Sequence, residues 1–175
     1  TMSKLELGVC YYPEQWDPSL WRTDAARMVE MGIDWVRIAE FTWGIVEPTP
    51  GQFEWGWLDE VIDILGRAGL RVMMSTPTAA PPKWLIDAHP EILPVGPDGQ
   101  VRGFGSRRHY CFSSETYLKE CQRISAEYGR RYGQNPHVQA WQIDNEYGCH
   151  DTTISYSDAA RTAFRDWLRG QFPGQ

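Results

Sequence analysis

Asn145 and Glu146 are the residues on which the chemistry of this sequence turns. They close the run Val138-Gln139-Ala140-Trp141-Gln142-Ile143-Asp144, which is short, largely apolar and polar only at its end, the pattern of a buried strand meeting a loop. A carboxyl there can give and take a proton, and an amide one residue earlier can position a hydroxyl. An isolated Asn-Glu step is more often a helix cap or a loop carboxylate, so its weight comes from its surroundings.

Other chemistry-bearing residues gather at comparable places. Glu14, Glu40, Thr76 and Thr78 follow apolar runs, with Tyr11, Tyr12, Phe41 and Trp43 among them. Arg37 lies inside an apolar run and needs a partner, either a structural ion pair or a carboxylate of the site. Arg107-Arg108-His109 forms a basic cluster in a long loop, and His109 and His150 read as surface histidines. Nine Trp, eight Tyr and six Phe exceed what packing alone calls for, and aromatic rings near loops are what stack on the apolar face of a sugar.

The elements that position these residues alternate. Leu5 to Tyr12 reads as a strand; Asp17-Pro18 opens a helix with Trp21, Ala25, Met28 and Val29 on one stripe; Ile33 to Ala39 is the second strand. A helix over 57–68 leads to a third strand over 70–75, and Pro81-Pro82 begins a short helical turn. Residues 89–112, punctuated by Pro and Gly, form a long loop of the kind that carries function. Ser113-Ser114 caps a helix to about Tyr132, the fourth strand follows, and a last helix covers about 157–169.

Four β-α units in succession imply a parallel sheet with helices outside it. The first turn, Gly8 to Trp16, lacks a glycine-rich phosphate cradle, so a dinucleotide fold loses its main support. In a (β/α)₈ barrel, by contrast, the four polar and aromatic clusters would share one rim, where barrel enzymes place their sites. The expected fold is therefore α/β, the first four units of a TIM (β/α)₈ barrel. A whole barrel takes about 250 residues and this chain has 175; the expectation is a half-barrel whose first and fourth strands are open edges.

The formal net charge of −6 gives no electrostatic case for nucleic acid or an anionic membrane. No apolar stretch approaches the ~20 residues of a membrane span, and none of signal-peptide length follows Thr1-Met2, so the expected location is cytoplasmic. Cys10, Cys111, Cys121 and Cys149 form no C-x-x-C pair and are expected to be reduced and mostly buried.

Five ordered motifs resemble glycoside hydrolase family 42, the β-galactosidases. They are Tyr11-Tyr12-Pro13-Glu14-Gln15-Trp16, Arg37-Ile38-Ala39-Glu40-Phe41-Thr42-Trp43, Glu47-Pro48-x-x-Gly51-x-Phe53-x-Trp55, Ser106-Arg107-Arg108-His109-Tyr110 and Trp141-Gln142-Ile143-Asp144-Asn145-Glu146-Tyr147-Gly148. The likeness runs from about residue 7 to 170 and covers the N-terminal half of that family's catalytic barrel; its later strands and two following domains have no counterpart here. It implies retaining hydrolysis of terminal β-D-galactosides, with Glu146 as general acid/base, Asn145 and Arg107 on the sugar, and the nucleophile outside this chain. It also implies a possible homo-oligomer, a trimer. Some members hold a structural zinc through four cysteines. Cys111 matches the first, but the stretch of the other three reads Ser155-Tyr156-Ser157-Asp158-Ala159-Ala160, so no metal or other cofactor is expected.

Retention needs two carboxyls about 5–5.5 Å apart, and the acid's pKa must be raised. Trp141 and Tyr147 are the residues expected to help wall off Glu146. Glu40 is the best in-chain candidate for a second carboxyl, but two strands away means roughly 10 Å at about 4.8 Å per step, too far for retention. The chain alone is thus expected to be inactive. Alternatives are a retaining barrel glycosidase acting on β-glucosides, β-mannosides or arabinosides, and a non-catalytic half-barrel serving sugar binding or assembly.

Overall fold

A computed structural model of the chain describes residues 5–105, 108–148 and 153–173. Four parallel strands form one sheet in the order β1-β2-β3-β4: β1 Gly8–Cys10, β2 Trp35–Ile38, β3 Arg71–Ser75 and β4 Val138–Gln142. Each is separated from the next by helix. α1 (Trp21–Glu30) joins β1 to β2, and α2 (Trp43–Val46) and α3 (Gly56–Arg67) join β2 to β3. α4 (Lys83–Ala88) and α5 (Glu115–Tyr132) lie between β3 and β4, and α6 (Asp158–Gln171) follows β4. This is the expected succession of four β/α units.

The caps read from the sequence at Asp17 and Ser114 are in place, and the structure adds one at Ser157. Asp17 accepts from the Ser19 N–H before α1, Ser114 from Tyr117 N–H at α5, and Ser157 from Ala160 N–H at α6. Gly69, at φ +94° after α3, makes the left-handed step that lets β3 start at once. α2 was not expected; four residues are too few to show a helical period.

The core lies on one face of the sheet. Val36, Ile38, Val72 and Met74 pack there against Ala25 of α1, Leu58, Val61, Ile62 and Leu65 of α3, and Tyr117, Ile124 and Tyr128 of α5. The opposite face carries a registered row, Cys10, Arg37, Met73 and Ala140, exposed or half-buried throughout. In a closed barrel that face is the interior, filled by side chains from all strands. Burial also falls off across the sheet. β2 and β3 have neighbours on both sides. Among the described residues β1 pairs only with β2 and is confined to 8–10; Leu5 and Leu7, expected in the strand, are exposed. Beyond β4, α6 buries no residue, and its apolar stripe leaves Phe164 and Trp167 in solvent.

No helix among the described residues is long and apolar enough to cross a membrane. Of the thiols expected to be mostly buried, Cys111 is buried, Cys121 half-buried and Cys10 exposed on the first strand, and Cys149 lies outside the described residues.

Candidate active site

The strand ends converge on one rim, and their carboxyls are held differently. After β2 the chain turns through Ala39, at φ +78°, and delivers Glu40 into the interior, 1% exposed. Tyr12 Oη and Arg37 Nη2 both donate to Glu40 Oε1, at 2.7 and 2.8 Å. Arg37 thus finds a carboxylate partner in its half-buried setting. Glu40 Oε2, Arg37 Nε and Glu14 Oε2 are buried with no hydrogen-bond partner among the described residues. Burial raises the Glu14 carboxyl above its ordinary value, its own backbone N–H pulls partly back, and the Glu40 charge raises it further.

A second buried carboxylate, Glu47, fixes the loop after β2. Its Oε2 accepts from Trp43 Nε1 at 2.9 Å and Arg123 Nη2 at 2.8 Å, and its Oε1 from Gly51 N–H at 2.7 Å. Trp84 Nε1 donates to its backbone carbonyl. The Glu-Pro-x-x-Gly motif is therefore a structural knot between α2, α4 and α5.

β4 ends in a different geometry. Asp144 and Glu146 both have positive φ, +57° and +48°, bracketing Asn145. Left-handed backbone is tolerable for Asp but strained for Glu, and such strain persists only where the surroundings impose it. For Asp144 and Asn145 those surroundings are visible. The Asp144 N–H donates to Thr76 Oγ1 at 2.8 Å, and Asp144 Oδ1 accepts from the Asn145 N–H at 2.6 Å. Gln142 Nε2 donates to the Asp144 carbonyl at 2.8 Å and to Asn145 Oδ1 at 3.3 Å. With its oxygen turned to Gln142, Asn145 presents its NH₂ end as the donor.

A buried line of polar groups braces this turn from the 108–112 segment. Arg108 Nη1 donates to Tyr110 Oη at 3.1 Å, and Tyr110 Oη donates to Asp144 Oδ1 at 3.4 Å. Tyr110 itself stacks on Tyr117, with ring centroids 4.3 Å apart. Burial raises the Asp144 carboxyl; the Asn145 N–H, the Arg108 charge and the Tyr110 hydroxyl pull partly back. Sequence reasoning missed this line. A loop arginine reads as solvated, although the buried-charge argument applied to Arg37 would have found Arg108 had its burial been readable.

Two expectations are corrected here. His109 is buried, its Nε2 3.1 Å from the Pro81 carbonyl, because the loop folds inward onto the turn after β3. Nor do Trp141 and Tyr147 wall off Glu146: they are 39% and 64% exposed, and Glu146 is exposed too. Trp141 is in register with buried Met74, but on a strand with no outer neighbour among the described residues. Arg107 and His150 lie outside the described residues. Glu40 and Glu146 are, as expected, at strand ends two places apart in the sheet.

Among the described residues no donor set around Cys111 fits zinc. Ser157 Oγ meets Cys111 Sγ at 3.3 Å, and Ser155 Oγ accepts from the Val95 and Ser157 N–H groups. One thiol with hydroxyls and the methyl of Ala160 is not a zinc ligand set.

Comparison with known proteins is consistent across methods. The model of glycoside hydrolase family 42, described as β-galactosidase, matches residues 10–174. A β-galactosidase of Thermus thermophilus is 54% identical over 166 residues, covering 95% of this chain and 26% of that protein. One from Halorubrum lacusprofundi is 49% identical over 168 residues, 96% of this chain and 24% of its own. The crystal structure of β-galactosidase from psychrophilic Marinomonas ef1 superposes with a TM-score of 0.94 at 54% identity, over 96% of this chain and 26% of that one. The chain spans about a quarter of the length of these relatives. Its four β/α units are half of the TIM barrel of such enzymes.

Proposed function

This chain belongs to glycoside hydrolase family 42, and from that premise we propose that it forms the acid/base half of a retaining β-galactosidase acting on terminal β-D-galactosides. The observation that carries the reading is the turn Asp144-Asn145-Glu146 at the end of β4. Two left-handed residues bracket Asn145, the first of them pinned by Gln142 and Thr76, and they lift a carboxyl onto the rim where barrel enzymes work.

In this reading the Glu146 carboxyl gives its proton to the glycosidic oxygen as the bond to the anomeric carbon breaks. A carboxylate outside residues 1–175 attacks that carbon and forms the glycosyl ester. Glu146, now ionised, takes a proton from water as the water displaces the ester, which restores both groups. The Asn145 NH₂ and Arg107 hold sugar hydroxyls. Glu40, locked by Tyr12 and Arg37 and two strands from β4, is not the attacking group. The later strands, which close the barrel beside β1 and β4, also supply the walls that dry Glu146, and residues 1–175 alone are inactive.

We place the enzyme in the cytoplasm, where the free thiols of Cys10, Cys111 and Cys121 stay reduced. The trimer implied by the family is part of the same proposal and is checked by sedimentation equilibrium.

The test uses the full-length protein on nitrophenyl β-galactoside, β-glucoside, β-mannoside and α-arabinoside, with Glu146→Gln as control. Preference for galactoside, lost in the variant, supports the proposal. Unchanged turnover in Glu146→Gln removes that residue from the mechanism, and a preference for another glycoside replaces the substrate.

A further inference from the structure

A second concavity opens on the same rim, between the ends of β2 and β3 and the loop that carries Phe104 and His109. Its volume is about 580 Å³, and its lining includes Phe41, Trp84, Phe104, Lys83, Asp87 and His109. That size falls within the ~300–1,000 Å³ of small-molecule sites.

Packing does not account for Phe104, although Trp84 packs partly against the core and His109 is buried. Trp43, one turn away, is what a packing residue looks like: wholly buried, with its ring nitrogen on Glu47. Phe104 is 47% exposed yet held, edge-on to His109 at 5.0 Å and with the Lys83 ammonium 6.0 Å from its ring centre. Trp84 is anchored through its ring nitrogen to the Glu47 carbonyl and remains part-exposed. Lys83 and Asp87, paired one helical turn apart on α4, are both exposed. Pre-placed rings beside a cationic donor and an anionic acceptor suit a ligand with apolar C–H faces and a belt of hydroxyls, which describes a pyranose. A purely apolar ligand would leave the ion pair unused, and a phosphate would meet the Asp87 charge.

Position connects the cavity to the reaction. Phe41 directly follows Glu40, and its ring stacks at 6.1 Å on Tyr12, which holds Glu40. His109 directly follows Arg108, the start of the line bracing Asp144 and Asn145. The cavity is thus built on the same two supports as the candidate active site, from residues that the acid/base chemistry does not use.

We infer that this cavity is a subsite for a saccharide ring on the leaving-group side of the scissile bond, an inference that rests on the β-galactosidase reading above. Phe104 is its principal stacking ring, and Lys83 and Asp87 serve the ring's hydroxyls. The subsite would favour galactosides whose leaving group is itself a sugar over those with a small alcohol.

The test is made on the full-length enzyme with two substrates, methyl β-galactoside and a β-galactosyl disaccharide. Loss of one stacking ring is expected to raise KM for the disaccharide roughly five- to tenfold in Phe104→Ala, with kcat unchanged and methyl galactoside kinetics within about twofold. Phe104→Trp should restore the disaccharide KM, and Lys83→Ala should show a smaller change of the same selectivity. Equal changes for both substrates, or none for the disaccharide, overturn the subsite while leaving the β-galactosidase reading intact. A wild-type enzyme that cleaves neither substrate overturns both.

Discussion

Glu40 and Glu146 stand at strand ends two places apart in one sheet, and they are held in opposite ways. Glu40 is 1% exposed and pinned through one oxygen by a tyrosine and an arginine. Glu146 is exposed, set there by a backbone turn whose neighbours are tightly bonded. The difference follows from where the strands lie. β2 is flanked on both sides and backed by three helices, so a carboxyl at its end is enclosed and must be neutralised on the spot. β4 has no outer neighbour among the described residues, so its terminal carboxyl is positioned from behind by the Asp144-Asn145 turn, and its front is left to the later strands of the proposed whole barrel. Glu40 and Glu47 are bonded within these residues, whereas the setting of Glu146 is completed outside them.

If this contrast is right, substitutions on the two sides exchange their effects. The largest expected is catalytic: Glu146→Gln in the full-length protein should lower kcat on alkyl galactosides by ~10²–10⁴ while leaving the melting temperature unchanged. A lowered melting temperature would mean that Glu146 also supports the fold. On the enclosed side, Glu47→Ala should lower stability by about 3 kcal/mol, read as a shift in urea midpoint, because Arg123, Trp43 Nε1 and the Gly51 N–H lose their acceptor together. A loss below about 1 kcal/mol, in the range of surface pairs, would show that this knot is not structural.

A subtler change sharpens the account of how the turn is braced. Tyr110→Phe removes the hydroxyl between Arg108 and Asp144. It should cost about 1 kcal/mol of stability and lower kcat/KM with a shifted pH profile, since the Asp144 carboxylate that accepts the Asn145 N–H loses a fixed donor. Unaltered kinetics would confine the line to a packing role.

The smallest effect concerns Glu14. Its carboxyl is raised in the folded chain by burial and by the Glu40 charge, so the folded state keeps a proton that the unfolded state has released. That contribution is complete below the unfolded pKa and is lost as pH rises from there through the folded value. Glu14→Gln is therefore expected to raise the melting temperature at pH 7 and to change it little at pH 4. The reverse pattern would mean that the ionised carboxylate is the stabilising form.

The fold was legible because its signals are local. Asp17 and Ser114 mark helix starts, Gly69 marks a stop, and the β-branched run of β2 separates two amphipathic helices. The candidate site is marked in the sequence only by motifs, at Asn145-Glu146 and at the arginine cluster, of which Arg107 lies outside the described residues. Its support was not. The inward path of the 108–112 loop, which buries Arg108 and His109, depends on the turn after β3, distant in sequence. The positive φ of Asp144 is held by Thr76 and Gln142 rather than by the residue itself. The exposure of Trp141 and Tyr147 depends on what borders β4, which no residue of β4 encodes.

The central claim is that residues 1–175 hold the proton donor and not the nucleophile. Inactivating the full-length enzyme with a 2-deoxy-2-fluoro-β-galactoside bearing a good leaving group, then sequencing the labelled peptide, tests this directly. The account predicts the fluorosugar ester on a glutamate outside residues 1–175; an ester on Glu40, or on any other carboxyl of this chain, would contradict it.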